Sequence, residues 1–191
     1  MLKCTEVEIE PLEAGAFEPF GQIIGQRASP PTFAAPHVAA WRMDFGVDGQ
    51  IDLMFNRFVF MPMEFSEMER HFNVTQSFIP LGGSPSVMVV APRTGRDGAE
   101  ARPRHTAVRA FYVGGSQGVL LWKGTWHALT RFPARPPFAD FAMITGLDTQ
   151  HELERQKTDG SMPMLTEVCD FTKTEGVTFK VVDSRGLIGG A

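Results

Sequence analysis

The sequence has no excess of basic charge, almost no cysteine and no long apolar run, and each shortage removes a class of protein. A net charge of −4 over 191 residues leaves no electrostatic footprint for nucleic acid. It does not exclude a small anionic substrate, because one or two placed arginines capture a carboxylate whatever the total charge. The two cysteines, Cys4 and Cys169, form no CxxC pair and no disulfide framework, so free thiols in a reducing cytosol are expected. Glu6, Glu8, Glu10 and Glu13 stand where a signal peptide has a basic start and an apolar core. No apolar stretch approaches the ~20 residues of a membrane span. The expectation is a cytoplasmic protein with neither nucleic acid nor membrane as partner, and charge alone leaves the class of its ligand open.

Long helical patterns, internal repeats and low-complexity tracts are also missing. Glycine (19), proline (14) and phenylalanine (16) are plentiful instead. Short alternating apolar runs separated by turn residues predict an all-β protein with a few short helices. Strands are expected over 5–9, 38–45, 53–60, 63–71, 74–81, 87–91, 107–113, 119–122 and 138–145, with a further one over 177–182. A helical turn is expected over 13–17 and a short helix over 151–157. The proline-rich stretch 27–36 and the arginine-rich stretch 92–105 read as loops. So many short strands need closure or a second sheet to hide their edges, which gives a β-barrel or jelly roll. The length suits one domain over 1–191, with a more polar extension from about 148.

Polar residues that interrupt buried strands mark the place to look for chemistry, because burying them unsatisfied is costly. Two segments qualify, Glu69 to Gln76 and Trp122 to His127. Residues two apart on a strand share a face, so Glu69 and His71 project together, Gln76 follows on the next strand, and His127 comes from a distant one. This nitrogen and oxygen set suits nickel, zinc, iron or manganese. A surface pair of histidines beside an edge glutamate would give the same pattern without a metal. Arg70 alternates away from His71. The ten methionines read as core filler, and His37, His105 and His151 as solvated surface.

The spacing Glu69-x-His71-x4-Gln76, then Gly83, resembles the first cupin motif with Glu and Gln at two of its ligand positions. Trp122-x-Gly124-x2-His127 resembles the second, with Trp in place of Pro. More specifically, Glu69-Arg70-His71-x4-Gln76-x-Phe78-Ile79-Pro80 resembles the signature of the ureidoglycolate lyases. Asn56-Arg57, Arg109-Ala110-Phe111, Gly115-x-Gln117-Gly118-Val119, Trp126-His127 and Asp140-Phe141 follow the same family. The chain departs from it in its longer loops and tail, and in Trp122 and Lys123, where members carry histidine and arginine.

The resemblance implies a cupin-type barrel, a homodimer, a nickel ion or another divalent metal, and cleavage of ureidoglycolate to glyoxylate and urea in allantoin breakdown. Elimination needs a base for the hydroxyl, an acid for the leaving nitrogen and a cation for the carboxylate. His127, His71 and Asp140 are the expected catalytic residues. Asn56, Arg57, Arg70, Gln76 and Lys123 are expected to bind substrate, and Glu69, His71, Gln76 and His127 to hold the metal. The substituted ligands also admit a metal-free site in which arginine or lysine supplies the charge. The competing readings are a cupin that binds a small carboxylate without chemistry, another metal-dependent cupin enzyme, and a hydrolase that releases ammonia.

Overall fold

The computed structural model describes residues 2–25, 29–97 and 101–189. Parts of the two expected loops, at 27–28 and 98–100, lie outside the described residues. In chain order the elements begin with β1 (Lys3–Pro11), α1 (Ala14–Phe17), β2 (Gly21–Ile24), β3 (Phe33–Ala35), β4 (Val38–Ala40) and β5 (Ile51–Val59). They continue with β6 (Glu64–Phe65), β7 (Glu67–His71), β8 (Gln76–Leu81), β9 (Ser86–Ala91), β10 (Arg109–Val113), β11 (Gly118–Leu121) and β12 (Trp126–Ala128). The last are β13 (Phe132–Pro133), β14 (Phe138–Gly146), α2 (Leu147–Asp159), β15 (Thr166–Asp170), α3 (Phe171–Thr174) and β16 (Val177–Val182).

The protein is all-β, as the alternation predicts. A nine-stranded sheet runs β15-β7-β12-β9-β10-β1-β16-β6, with β13 paired to β9, and curls into a half-barrel. A five-stranded sheet runs β2-β11-β8-β14-β5, and β3 and β4 form a separate hairpin. The expected strand 38–45 shrinks to Val38–Ala40, and the expected strand 63–71 divides at Ser66 into β6 and β7.

Strand β9 shows how the large sheet is held. Every residue of Ser86–Ala91 is buried. Val87, Val89 and Ala91 join Met68, Trp126, Phe132, Phe171 and Phe179 on one face. Met88 and Val90 join Phe17, Phe20, Phe78, Phe111 and Phe141 on the other, between the two sheets. A strand buried on both faces reads as a continuous apolar run, which this one is. Truncating one of these phenylalanines to alanine costs about 3–5 kcal/mol.

The tail belongs to the same body. Strand β15 pairs antiparallel with β7, and β16 pairs parallel with β1. Helix α2 ends at Gly160, whose φ of +75° is the left-handed geometry that glycine adopts without strain. The carboxylate of Glu152 on α2 accepts hydrogen bonds from the backbone N–H groups of Met164 and Leu165, fixing the turn into β15.

Candidate active site

Strand β7 carries the centre and shows its alternation plainly. Glu69 lies opposite His127 of β12 on one side and Val168 of β15 on the other. Met68 points into the outer core, whereas Glu69 and His71 point between the sheets. The backbone N–H of Gly124 donates to the carbonyl of His71 at 2.7 Å, so the turn before β12 is tied to the end of β7. Gly124 has φ +79°, a turn geometry that suits glycine.

A cavity of about 130 Å³ lies between the sheets, small beside the roughly 300–1,000 Å³ of drug-sized sites. Its polar wall is Asn56 of β5, Glu69 and His71 of β7, Gln76 of β8, Arg131 after β12 and Gln150 of α2. Phe58, Phe78 and Met143 supply part of the apolar wall. His127 does not line the cavity, but its ring lies 5.2 Å from that of His71, and its Nδ1 is 3.9 Å from Oε1 of Glu69.

Burial sets the protonation states. It pushes the Glu69 carboxyl up to about 7, with Arg131 and Lys157 opposing part of that rise. It pushes His71 down to about 4, helped by the charge of Arg131. His127 falls well below its ordinary value for the same reasons, with His71 adding to the effect. Both imidazoles are therefore neutral at pH 7. Arg131 is lowered to about 10 by burial and partly restored by Glu69, so it stays charged. Of these groups, the Glu69 carboxyl is the one whose value lies near 7.

The hydrogen bonds show what the wall leaves unspent. His71 Nδ1 meets Thr166 Oγ1 of β15 at 2.9 Å. The amide nitrogen of Gln76 faces Thr145 Oγ1 at 3.5 Å, and that of Asn56 faces the sulfur of Met143 at 3.9 Å. Gln76 Oε1 and Asn56 Oδ1 are buried with no partner, and so is the Arg131 Nε. Buried polar atoms without partners are rare enough to call for an explanation. Here they amount to two acceptors and one cationic donor contributed by residues of one small cavity.

Of the sequence candidates, Glu69, His71, Gln76, His127 and Asn56 come together. The others do not. Arg57 and Asp140 face each other across β5 and β14, joined by two hydrogen bonds of 2.8 Å. Arg57 is half-exposed and neither residue lines the cavity. Arg70 is fully buried on the other side of β7, where it donates to Glu167, Thr94 and Gly95 and lies against Trp126. Lys123 pairs with Asp48 at 2.8 Å, away from the cavity. Arg131 is the residue that sequence reasoning missed; it stands alone between two very short strands, with no periodicity to predict its burial.

Glu69, His71 and His127 form a group that could hold a metal, with Oε1 of Glu69 3.8 Å from His71 Nε2 and 3.9 Å from His127 Nδ1. The donor types suit a divalent ion. Arg131 Nη2 lies 3.3 Å from the same His127 Nδ1, while His127 Nε2 is buried without a partner.

The molecule is thus a curled all-β half-barrel of cupin-like fold, with the carboxylate of Glu69 and the neutral His71 on the wall of a small interior cavity and His127 beside them. Residues 4–164 match the ureidoglycolate lyase family, and the chain belongs to it. The ureidoglycolate lyase of Azotobacter vinelandii is 35% identical over 129 residues, covering 63% of this chain and 74% of that one. Those of Burkholderia mallei and Pseudomonas syringae pv. syringae are 33% and 34% identical, over 63% and 62% of this chain and 72% and 71% of theirs.

Proposed function

We propose that this protein is a carbon–nitrogen lyase that cleaves ureidoglycolate to glyoxylate and urea, a late step of allantoin breakdown. Family membership supports the reaction. The observation that carries it to this chain is the set of unpartnered atoms in the cavity wall. Gln76 Oε1 and Asn56 Oδ1 match the N–H donors of a ureido group, and the Arg131 N–H matches a carboxylate.

In this reading Glu69 moves the proton. With its carboxyl pushed up to about 7, it takes the hydroxyl proton as the carbon–nitrogen bond breaks. The same carboxyl, now protonated, gives that proton to the departing ureido nitrogen, so the step is balanced without solvent. His71, fixed by Thr166, lies beside Glu69 as a neutral donor. The nickel that the resemblance implies is not carried into this scheme, in which the guanidinium of Arg131, 3.3 Å from His127 Nδ1, supplies the positive charge.

The test is incubation of the protein with ureidoglycolate while glyoxylate, urea and ammonia are followed. Glyoxylate and urea in equal amounts support the lyase. Ammonia release instead would turn the reading to hydrolysis, and no turnover would turn it to a binding protein.

The homodimer has a surface that supports it. Strand β5 alternates, and its outward residues Leu53, Phe55 and Val59 are 69%, 64% and 66% exposed. Such an apolar patch on a sheet face marks an interaction site. Arg57 and Asp140 sit within it, so a two-fold axis would set each guanidinium and carboxylate against a second pair of opposite sense. The proposed occupant is therefore a second copy of this chain. Both cysteines are free, which supports a reducing, cytoplasmic setting.

A further inference from the structure

We propose that Arg131 is the resident cation of this centre: its guanidinium takes the place of a divalent ion among Glu69, His71 and His127, and the site works without a metal.

A neutral imidazole has a single acceptor nitrogen. His127 Nδ1 is the nitrogen that faces Glu69, and two other groups approach it, the carbonyl of Ala128 at 3.2 Å and Arg131 Nη2 at 3.3 Å. These contacts demand opposite roles of Nδ1. A guanidinium only donates, and Arg131 Nη1 already donates to the Ala128 carbonyl at 2.6 Å. We take Nδ1 as the acceptor of the Arg131 N–H, which leaves the proton on Nε2, an atom buried without a partner. A metal bound at Nδ1 would need that same lone pair at about 2.0–2.1 Å. It would also bring two positive charges beside a third in a buried site, where such repulsion is poorly screened.

Arg131 is held where it stands. Nη1 also donates to the carbonyl of Thr130 at 3.1 Å, and the guanidinium lies 4.0 Å from the centre of the Phe78 ring. Only 2% of the residue is exposed, and the carboxylate of Glu69 offsets its charge. Its Nε remains buried without a partner while the residue lines the cavity. That N–H is the donor for the substrate carboxylate, a role that rests on the lyase reading; exclusion of the ion does not.

The test counts metal on the full-length protein and on Arg131→Met, which keeps the bulk and removes the charge. Each is dialysed separately against Ni²⁺, Zn²⁺ and Mn²⁺. Wild type is expected to retain far less than one ion per chain and to keep its turnover in a chelator. Arg131→Met is expected to bind about one ion per chain, and to lose it again when His71→Ala is added. Arg131→Gln replaces the methionine variant if that one fails to fold. In chelator, glyoxylate binding measured by calorimetry should weaken roughly tenfold or more in the uncharged variant.

One ion per wild-type chain, removed by chelation together with turnover, would overturn the proposal. So would a folded, uncharged variant that binds no more metal than wild type. If wild type fails to turn over ureidoglycolate yet the metal counts come out as expected, the lyase reading falls and the displaced ion stands.

Discussion

Arg57 and Asp140 answer each other across β5 and β14 through two hydrogen bonds of 2.8 Å, and the pair stands outside the cavity. Each holds the other in its charged form, the Asp140 carboxylate strengthening the hold of the guanidinium on its proton and Arg57 drawing the carboxyl below its usual range. Arg57→Ala and Asp140→Ala should each leave kcat/KM within about threefold of wild type. A hundredfold loss with an unchanged association state would return them to the active site.

The same face gives a prediction about assembly. Phe55→Lys combined with Leu53→Glu places charge on the exposed apolar stripe and should yield a monomer by light scattering, with the fold kept. A variant that stays dimeric would move the interface elsewhere.

Activity should follow the charge of Glu69 and Arg131. The rate is expected to rise as pH passes about 7, where the carboxyl ionises, and to fall near 10, where Arg131 loses its proton. Glu69→Gln should remove most activity at every pH. A profile controlled by a group near the ordinary histidine value, and retained in Glu69→Gln, would assign the base to an imidazole.

Stability in acid tests Glu69 and His71, whose shifts have opposite signs. The folded pKa of His71 is lowered to about 4 from 6.5, so its contribution is complete above 6.5 and is lost as pH falls through 4. The folded pKa of Glu69 is raised to about 7 from 4.5, so its contribution is complete below 4.5 and is lost as pH rises through 7. Each is worth at most about 3 kcal/mol, and between pH 7 and 4 the two nearly offset. Glu69→Gln should therefore lose stability on acidification more steeply than wild type, and His71→Gln less steeply. Urea unfolding at pH 7 and pH 4 separates the slopes, and parallel slopes would refute both shifts.

The ureido acceptors allow a quieter test. Gln76→Ala and Asn56→Ala each remove one hydrogen bond and should lower kcat/KM roughly tenfold, mostly through KM. Equal turnover in both would remove them from the substrate site.

Much of the centre was legible because β7 and β8 obey simple alternation. Glu69 and His71 share a face, and Arg70 turns away to spend its donors on Glu167, Thr94 and Gly95. The same rule separates Asn56 from its neighbour Arg57, although the family resemblance joins them as a motif. Asn56 faces the cavity, and Arg57 faces out. Arg131 was not legible, because its burial comes from the way β12 and β13 fold back on β9, and each strand is too short to show a period. The apolar outer face of β5 was hidden by its own composition, since a strand apolar on both faces looks like core wherever it lies.

Strand β15 carries a consequence in time. Thr166 holds His71 and Glu167 holds Arg70, yet both follow the 4–164 segment that defines the family match. A nascent chain can place β7 against β12 and still lack the neighbour that fixes its histidine. The surroundings of Glu69 and His71 are thus complete only once β15 is in place, and a polypeptide cut short of residue 166 would carry the family signature without the strand that steadies it.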